Sequence, residues 1–260
     1  MKEGTDLVYK RLFLIVQSLF IFFIGLIYSD SLSAQASGAY PLQVKYSNTM
    51  MYKAHTDQKV IALSFDDGPD TKFTPLILDI LTKYDVKATF FLLGTRAHKY
   101  PDITKRIYRE GHAIGNHTYW HPNLSESDVN KMKWEIEMNE QEISSIIGIT
   151  SDLFRAPYGA LTEEQVRQLG KMGYRGIGWS VDSEDWKSLS VNEVKQKVLN
   201  AIHPGAIVLM HSAGHWTQDL TGTVQALNEL IPHLKKQGYR FVTIPELWSI
   251  EHPGKREMSK

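Results

Sequence analysis

Cysteine is absent from the 260-residue chain. Its absence excludes disulfide bonds, thiolate catalysis, cysteine-ligated zinc and iron–sulfur clusters. If a transition metal binds, it must be held by histidine, aspartate or glutamate side chains. The chain has 10 histidines and 29 acidic residues from which such a site could be built.

A net charge is lacking as well, because 29 lysines and arginines balance 29 aspartates and glutamates. The balance gives no electrostatic reason to expect a nucleic-acid partner. Hydrophobic residues make up 42% of the chain and charged residues 22%, which is typical of a globular protein and argues against disorder. The length suits one barrel-sized domain or two small ones.

A long apolar run occupies residues 12–28, directly after Lys10 and Arg11. Residues 34–36 read Ala-Gln-Ala, the small-x-small pattern of a signal-peptidase site. We predict that residues 1–36 are an export signal, either a cleaved signal peptide or a retained signal anchor. The remainder is then expected outside the cytoplasm, secreted or anchored to the outer face of the plasma membrane. It would contact the membrane only through this segment.

From residue 60 onward, strand-like apolar segments alternate with helix-like amphipathic ones. Strands are predicted at 60–65, 88–93, 113–116, 153–155, 175–181, 206–210 and 240–244. Helices are predicted at 75–84, 102–110, 125–147, 162–172, 191–202 and 224–237. The repeated order of strand and helix predicts an α/β fold in which helices cover parallel strands.

The first predicted strand is followed neither by a Gly-x-Gly-x-x-Gly motif nor by a phosphate-loop lysine, so nucleotide-binding folds are disfavoured. A distorted (β/α) barrel with seven or eight parallel strands in a single domain fits the length better than an open sheet. We place this domain at residues 59–250, between a lead-in segment over 37–58 and a polar tail over 251–260.

Polar clusters follow five of the predicted strands. They read SFDDGP at 64–69, NHTYWH at 116–121, RAPYG at 155–159, DSEDW at 182–186 and LMH at 209–211. The carboxyl ends of parallel barrel strands converge on one face, which is the face that carries chemistry in such folds. We therefore expect the clusters to form one site and the chain to be an enzyme.

Taken singly, the first two clusters have plainer interpretations. Asp66 and Asp67 could belong to a solvated turn, because Asp-Gly-Pro is a typical turn sequence. His117 and His121 would face the same way on one helical turn and could ligate a metal together with a carboxylate. Chance histidine pairs at this spacing are also common.

The remaining clusters are equally ambiguous alone. Arg155 could be a surface residue or the partner of a buried carboxylate. Asp182 and Asp185 could solvate a loop or sit at a helix N-terminus. His211 could be a buried core histidine, although its place at a strand end makes it a candidate acid catalyst.

Together, in this order, the five clusters resemble the motifs of the polysaccharide deacetylases, the NodB-homology domain of carbohydrate esterase family 4 (CE4). The resemblance covers about residues 58–250 and is greatest to bacterial peptidoglycan N-acetylglucosamine deacetylases. It implies a metal-dependent hydrolase that removes N-acetyl groups from N-acetylglucosamine residues of a cell-wall polysaccharide. The polysaccharide would be its partner, and the protein would be a monomer at the cell wall or on the membrane's outer face.

The resemblance also assigns the metal site and the base. Asp67, His117 and His121 would bind a divalent metal, zinc in most of the family, with cobalt and nickel as alternatives. Asp66 would be the general base that activates the attacking water, and Arg155 would hold it in place.

The resemblance assigns the acid and the substrate contacts as well. His211 would protonate the leaving amine, and Asp185 would orient it. The backbone N–H of Tyr158 would stabilise the oxyanion, while Trp186 and Leu209 would form a pocket for the acetyl methyl group. The chemistry agrees, because an amide needs a Lewis acid to polarise its carbonyl and its amine needs a separate acid in order to leave.

Aromatic side chains in or near the motif loops could line a glycan groove, because sugar rings have apolar faces that stack on aromatic rings. These residues are Tyr119, Trp120, Tyr158, Trp186 and Trp216. For Trp134, on the helix predicted over 125–147, and for Trp248, which we also place on a helix, we expect packing in the core.

Other functions stay open at this point. Within the same family, the substrate could be a chitooligosaccharide, the muramic-acid sugar or an acetylated xylan. The chain could also be a non-catalytic glycan-binding protein of the cell wall, or a metal hydrolase that acts on small amides. The residues that a degenerate relative would lose first are all present, which favours an enzyme.

Overall fold

The computed structural model describes residues 40–252 of the chain. The export signal predicted over residues 1–36 lies outside the described residues and stays a prediction. Between residues 40 and 252, no helix is long and apolar enough to span a membrane. The chain divides after Lys45 into a short unit and a large one. Of the short unit, the structure describes Tyr40 and helix α1 (Pro41–Lys45).

The large unit is built around one sheet, whose strand pairs all run parallel. Its strands are β1 (Met50–Met51), β2 (Val60–Asp66), β3 (Thr89–Leu92), β4 (Ala113–Asn116), β5 (Leu153–Phe154), β6 (Arg175–Ile177), β7 (Val181–Asp182), β8 (Ala206–His211) and β9 (Arg240–Phe241). Their order is β1-β6-β5-β4-β3-β2-β8-β7, and β9 also pairs with β2. The sheet curls into a half-barrel, which confirms the predicted α/β barrel of parallel strands.

Helices surround this sheet. Those described in the large unit are α2 (Thr74–Lys83), α3 (Gly94–Lys99), α4 (Pro101–Arg109), α5 (Val129–Ile147), α6 (Glu163–Lys171), α7 (Val191–Ala201), α8 (Thr221–Lys236) and α9 (Ile244–Glu251). Helix α3 was not predicted, because its short polar sequence has no apolar period. Helix α5 begins later than predicted, because the side chain of Asp128 caps it by accepting a hydrogen bond from the Lys131 N–H.

Strand β2 lies between β3 and β8 and is buried along its whole length. Successive side chains of a strand point to opposite faces of the sheet. Ile61 and Leu63 pack in the cluster shared with helices α2, α7 and α8, whereas Val60 and Ala62 pack in the cluster shared with α9. The same alternation puts Asp66, at the carboxyl end of β2, on the face of Val60 and Ala62.

The lead-in segment contributes to the sheet. Strand β1 pairs with β6, Lys53 forms an isolated bridge with Ala206, and the Ala54 N–H donates to the carbonyl of Gly205. Gly205 has φ +76°, and a Cβ at this position would lie 2.1 Å from the Ala54 carbonyl oxygen. Only glycine fits this close approach of two backbone segments.

The described residues hold nine strands, where the sequence predicted seven or eight. One added strand is β1, from a segment without a clear period. The other arises because the predicted strand over 175–181 divides into β6 and β7. At the division, a Cβ on Gly178 would lie 2.2 Å from the ring of Tyr52, so the lead-in segment packs directly against the break.

Candidate active site

The carboxyl ends of the parallel strands bring the polar clusters to one edge of the sheet. Asp66 at the end of β2 is opposite His211 at the end of β8 in strand register. Asn116 at the end of β4 is opposite Phe154 of β5, which directly precedes the RAPYG cluster. The cluster that begins at Asp182 starts in β7, which pairs with β8. The predicted convergence of the clusters on one face therefore matches the strand register.

Asp67, His117 and His121 form a compact group of metal-ligand types. One ligand atom from each lies within 4.8 Å of the other two. Asp67 Oδ1 is 3.4 Å from His117 Nε2 and 3.3 Å from His121 Nε2. Burial alone would raise the pKa of Asp67, but the two imidazoles hold it well below its usual range. The carboxylate is therefore anionic and faces two ring nitrogens.

This group fits a divalent metal. The buried Oδ1 of Asp67 accepts no hydrogen bond from the described residues, as expected of an atom that is reserved for a cation. His117 Nδ1 lies 2.8 Å from the backbone carbonyl of Arg155, to which it donates its proton. That bond leaves the lone pair of Nε2 directed at the group. One carboxylate and two imidazoles are a usual ligand set for zinc and related metals.

The HTYWH loop is not the helical turn that the histidine spacing suggested. Thr118 has φ 70° and His121 has φ 64°, so the chain is in the left-handed region at both positions. The Thr118 hydroxyl accepts a hydrogen bond from the His121 N–H at 3.0 Å, and Asn116 Oδ1 accepts from the Thr118 N–H at 2.9 Å. Local side-chain bonds, rather than helix geometry, bring His121 towards His117.

Helix α5 supports this loop with two buried polar side chains that the sequence analysis missed. Glu135 Oε2 accepts hydrogen bonds from the N–H groups of Tyr119 at 3.0 Å and Trp120 at 2.8 Å. Asn139 Nδ2 donates to the carbonyl of Thr118 at 2.8 Å. Both residues interrupt an apolar helix face at a spacing of four, which was the available signal.

Asp66 is held by Arg155, whose side chain is buried rather than at the surface. Arg155 Nη1 lies 2.7 Å from Asp66 Oδ1. The guanidinium also donates to the carbonyls of Ile177 and Gly178 and lies 4.2 Å from the centroid of the Phe91 ring. This set of contacts fixes the guanidinium and compensates the charge of Asp66. The other oxygen, Asp66 Oδ2, is 3.7 Å from His117 Nε2 and thus faces the metal-ligand group.

His211 lies opposite Asp66 in the register of β2 and β8, and Asp185 holds it there. Asp185 Oδ1 lies 2.7 Å from His211 Nδ1, and Asp185 Oδ2 accepts hydrogen bonds from the His211 N–H at 3.0 Å and the Thr223 hydroxyl at 2.8 Å. Burial disfavours the imidazolium, but the charge and hydrogen bond of Asp185 outweigh it and raise the pKa of His211 to about 9. His211 is therefore protonated at neutral pH, as an acid catalyst must be.

The residues that were predicted to contact substrate occupy different settings. Tyr158 has φ 60°, its side chain is exposed, and its ring lies 4.8 Å from that of His121. Leu209 is buried near the end of β8, and Trp186 is half-exposed in a short turn after β7. Their roles at the oxyanion and the acetyl group remain predictions.

The two helical tryptophans differ from each other. Trp248 is buried at 8% exposure, as predicted. The prediction of core packing is wrong for Trp134, which is 42% exposed. Its ring contacts Tyr119 at the surface, because Trp134 lies outside the buried face of α5, which carries Met132, Glu135, Ile136, Asn139 and Ile143.

Comparison with known proteins supports the motif resemblance. Residues 53–177 match the family model described as polysaccharide deacetylase. The chain is 45% identical over 190 residues to a Bacillus cereus protein named peptidoglycan-N-acetylglucosamine deacetylase. The aligned region covers 72% of this chain and 68% of that protein. The chain also resembles the crystal structure of a peptidoglycan N-acetylglucosamine deacetylase, with a TM-score of 0.76 and 40% identity over 80% of this chain and 96% of that one.

A third match shows that the fold also occurs without activity. A CE4 family pseudoenzyme from Bacillus anthracis matches with a TM-score of 0.71 and 32% identity, over 77% of this chain and 69% of that one. The fold therefore does not decide between a catalyst and a pseudoenzyme, and that distinction depends on the residues of the site.

Proposed function

The chain belongs to the polysaccharide deacetylase family, and from this we propose that it is a metal-dependent hydrolase that removes N-acetyl groups from the N-acetylglucosamine residues of peptidoglycan. One observation carries the proposal. One edge of the sheet brings together a three-residue metal-ligand group, a carboxylate held by a buried arginine and a histidine held by a buried aspartate. This is the set that amide hydrolysis needs: a Lewis acid site, a base and a separate acid.

Asp67 Oδ1, His117 Nε2 and His121 Nε2 would hold the metal, for which zinc is our first choice and cobalt and nickel are alternatives. When bound, the metal would supply Lewis-acid polarisation of the amide carbonyl and lower the pKa of water. The chain's own residues account for the proton transfers. Each transfer follows from which atom is free and which is already hydrogen-bonded.

Asp66 serves as the general base. Its Oδ1 is bound to Arg155, which leaves Oδ2, on the side of His117, to accept a proton from the attacking water. The water oxygen forms the new bond to the acetyl carbonyl carbon. Arg155 maintains the orientation of Asp66 during this step, because its other nitrogens are fixed by backbone carbonyls.

His211 serves as the general acid. Its Nδ1 is bound to Asp185, so Nε2 is the nitrogen that delivers a proton to the departing amine as the C–N bond breaks. The products are acetate and a glucosamine residue. The backbone N–H of Tyr158 is our candidate donor to the oxyanion, and Trp186 and Leu209 are our candidates for the acetyl pocket.

A non-catalytic glycan-binding protein is the competing proposal. A pseudoenzyme is expected to lack the base, a metal ligand or the acid. Here Asp66, Asp67, His117, His121 and His211 are all present, and their spacing suits catalysis. We therefore favour the enzyme.

The substrate proposal rests on the relatives, and we propose an extracytoplasmic location from the apolar run at residues 12–28. The test offers the purified, zinc-loaded protein N-acetylated peptidoglycan, peptidoglycan in which only the muramic-acid sugar is acetylated, chitooligosaccharides and acetylxylan. Acetate release is measured from each. We expect the highest kcat/KM on N-acetylglucosamine residues of peptidoglycan. A higher value on any other polymer would replace the proposed substrate while leaving the deacetylase assignment intact.

A further inference from the structure

An aromatic strip leads away from the candidate metal site. Trp120, which precedes His121, is 63% exposed, and its ring centroid lies 5.3 Å from that of Tyr119. The Tyr119 ring in turn lies 6.4 Å from Trp134 on helix α5, and both contacts are edge-to-face. The three rings form a continuous surface from the metal-ligand loop onto the helix.

The strip is fixed in place by its neighbours. A Cβ on Gly94 would lie 2.2 Å from the Tyr119 ring, so glycine at the start of α3 makes room for that ring. The ammonium of Lys131 lies 4.3 Å from the centroid of the Trp134 ring. Side chains that are already ordered lose little entropy when a ligand binds, and exposed aromatic surface on a soluble protein commonly marks a binding site.

Trp134 lies on the same face of the fold as the chemistry. Helix α5 begins at Val129, and Trp134 is in its second turn. In β/α folds, helices begin on the side of the sheet where the preceding strands end, which is the face of the site. Tyr108 provides a contrast, because it lies in the last turn of α4, directly before β4 begins, and thus at the opposite end.

We propose that Tyr119, Trp120 and Trp134 form a subsite for sugar residues of the glycan beyond the one that is deacetylated. This inference rests on the proposed function. The apolar face of a sugar ring stacks on an aromatic ring, and a polymer offers sugar rings beyond the reacting residue that a disaccharide lacks. Trp134 therefore contributes to the binding of long chains only.

The test measures kcat/KM for disaccharide and hexasaccharide N-acetylglucosamine substrates with wild type, Trp134→Ala and Tyr108→Ala. Tyr108 is a matched control, because it is 40% exposed on a surface helix at the opposite end of the barrel. We expect Trp134→Ala to lower kcat/KM on the hexasaccharide by roughly three- to tenfold, mainly through KM, and to leave the disaccharide value unchanged.

Two results would overturn the subsite. One is an unchanged hexasaccharide value in Trp134→Ala, and the other is an equal loss on both substrates, which would mean that Trp134 acts through the catalytic centre. Failure of the proposed function looks different, since wild type would then release no acetate from either substrate.

A separate observation concerns Glu135, whose carboxylate is fully buried. Burying a carboxylate is unfavourable unless it is hydrogen-bonded and paired. Glu135 binds two N–H groups of the HTYWH loop, and its Oε1 lies 2.9 Å from Lys131 Nζ. The two N–H groups belong to Tyr119 and Trp120, which lie between the two histidine ligands. The buried charge is thus directed at the segment that connects them.

We infer that Glu135 is a positioning residue that keeps His121 in its metal-ligand geometry. The backbone of Thr118 and His121 is in the left-handed region, which L-residues avoid unless surrounding contacts enforce it. Glu135 supplies such contacts in the middle of the loop. Without them the loop relaxes, and His121 Nε2 moves away from Asp67 and His117.

The test measures the dissociation constant of Zn²⁺ by competition with a chromogenic chelator, and the absorption spectrum of the Co²⁺-loaded protein. Glu135→Gln keeps the side-chain volume but replaces the carboxylate by a weaker acceptor and sets an amide against Lys131. Glu137→Gln, an exposed position on the same helix, is the control. We expect a rise in dissociation constant of roughly 10- to 100-fold and an altered Co²⁺ spectrum for Glu135→Gln alone.

A Glu135→Gln protein that melts at a lower temperature but binds Zn²⁺ as tightly as wild type would overturn the inference, since Glu135 would then be merely structural. If this variant does not fold, Glu135→Asp is measured in its place. The shorter side chain keeps the charge but withdraws the carboxylate from the Tyr119 and Trp120 N–H groups, and an unchanged Zn²⁺ dissociation constant would have the same meaning.

Discussion

Asp66 and Asp67 are consecutive, yet both carboxylates face the same site with different partners. Asp66 Oδ1 lies 2.7 Å from Arg155 Nη1, whereas Asp67 Oδ1 lies 3.3 Å from His121 Nε2. In a continuing strand the two side chains would point to opposite faces. Asp67 has φ 68°, which ends the alternation and turns its carboxylate back towards the site. In the proposed function, this turn lets one residue serve as a metal ligand while its neighbour stays available as a base.

The separation of roles predicts that the two aspartates affect metal binding differently. Asp67→Asn should raise the Zn²⁺ dissociation constant by at least about tenfold, because an anionic ligand is replaced by a neutral amide. Asp66→Asn should change it much less, because Asp66 is tied to Arg155. Isothermal titration of both variants with Zn²⁺ checks this, and equal losses in the two would contradict separate roles.

The basic limb of the pH–rate profile should depend on Asp185. In the proposed function the acid form of His211 is active, so we expect kcat to fall as pH rises through its pKa of about 9. Asp185→Asn removes the charge that raises this pKa, and the fall should begin at lower pH, towards the ordinary histidine value of about 6.5. Asp219→Asn, which changes an exposed carboxylate, is the control. A basic limb that does not move in Asp185→Asn would contradict the assigned pair.

His112 should make the fold sensitive to acid. The ring is buried, its Nδ1 accepts a hydrogen bond from the Ala88 N–H, and burial lowers its pKa to about 4. The unfolded chain takes up the proton at about pH 6.5, so stability is intact above that pH and is lost as pH falls towards 4. We expect a loss of about 2 kcal/mol between about pH 7 and pH 5, measured by urea unfolding.

The matched variant for this effect is His112→Gln, whose side-chain oxygen can still accept from Ala88. Its free energy of unfolding should depend less on pH over the same interval. An identical pH dependence in the two proteins would show that other groups cause the acid sensitivity.

The contact between the lead-in segment and the start of β8 predicts that alanine substitution destabilises the protein more at Gly205 than at Gly173. Gly205 and Gly173 both have positive φ, at +76° and +82°. A Cβ on Gly205 would meet the Ala54 carbonyl oxygen at 2.1 Å, while one on Gly173 would meet nothing within 4 Å. Gly173→Ala should therefore cost about 1 kcal/mol of backbone strain, and Gly205→Ala clearly more. Thermal unfolding compares them, and equal losses would mean that the close approach to Ala54 is unimportant.

The sequence was sufficient to predict the parts of the site that follow from strand and helix alternation. Asp66 and His211 lie at the ends of apolar strands, and parallel strands bring such ends together whatever the details of packing. The HTYWH loop was different, because its conformation depends on Glu135 and Asn139 of a helix that follows it. Their spacing is visible in the sequence, but their partners appear only when the chain folds.

Two further differences between the predicted and the observed structure also arise from contacts that appear only when the chain folds. The segment 175–181 looks like one strand, but the packing of Tyr52 from the lead-in segment against Gly178 accompanies its division into β6 and β7. Trp134 looks like a core residue, because an apolar residue on an amphipathic helix usually is one. Trp134 instead lies outside the buried side of the helix, which carries the polar Glu135 and Asn139 as well as Met132, Ile136 and Ile143.

The claim that the protein is a metal-dependent deacetylase in which Asp66 is the base is tested by acetate release from N-acetylated peptidoglycan. The measurement compares zinc-loaded wild type, the same protein after chelation and zinc restoration, and Asp66→Asn at equal zinc content. We expect release that stops on chelation, returns with zinc, and falls by roughly 10²- to 10⁴-fold in Asp66→Asn. Release that persists after chelation, or an Asp66→Asn variant as active as wild type at equal zinc content, would contradict the claim.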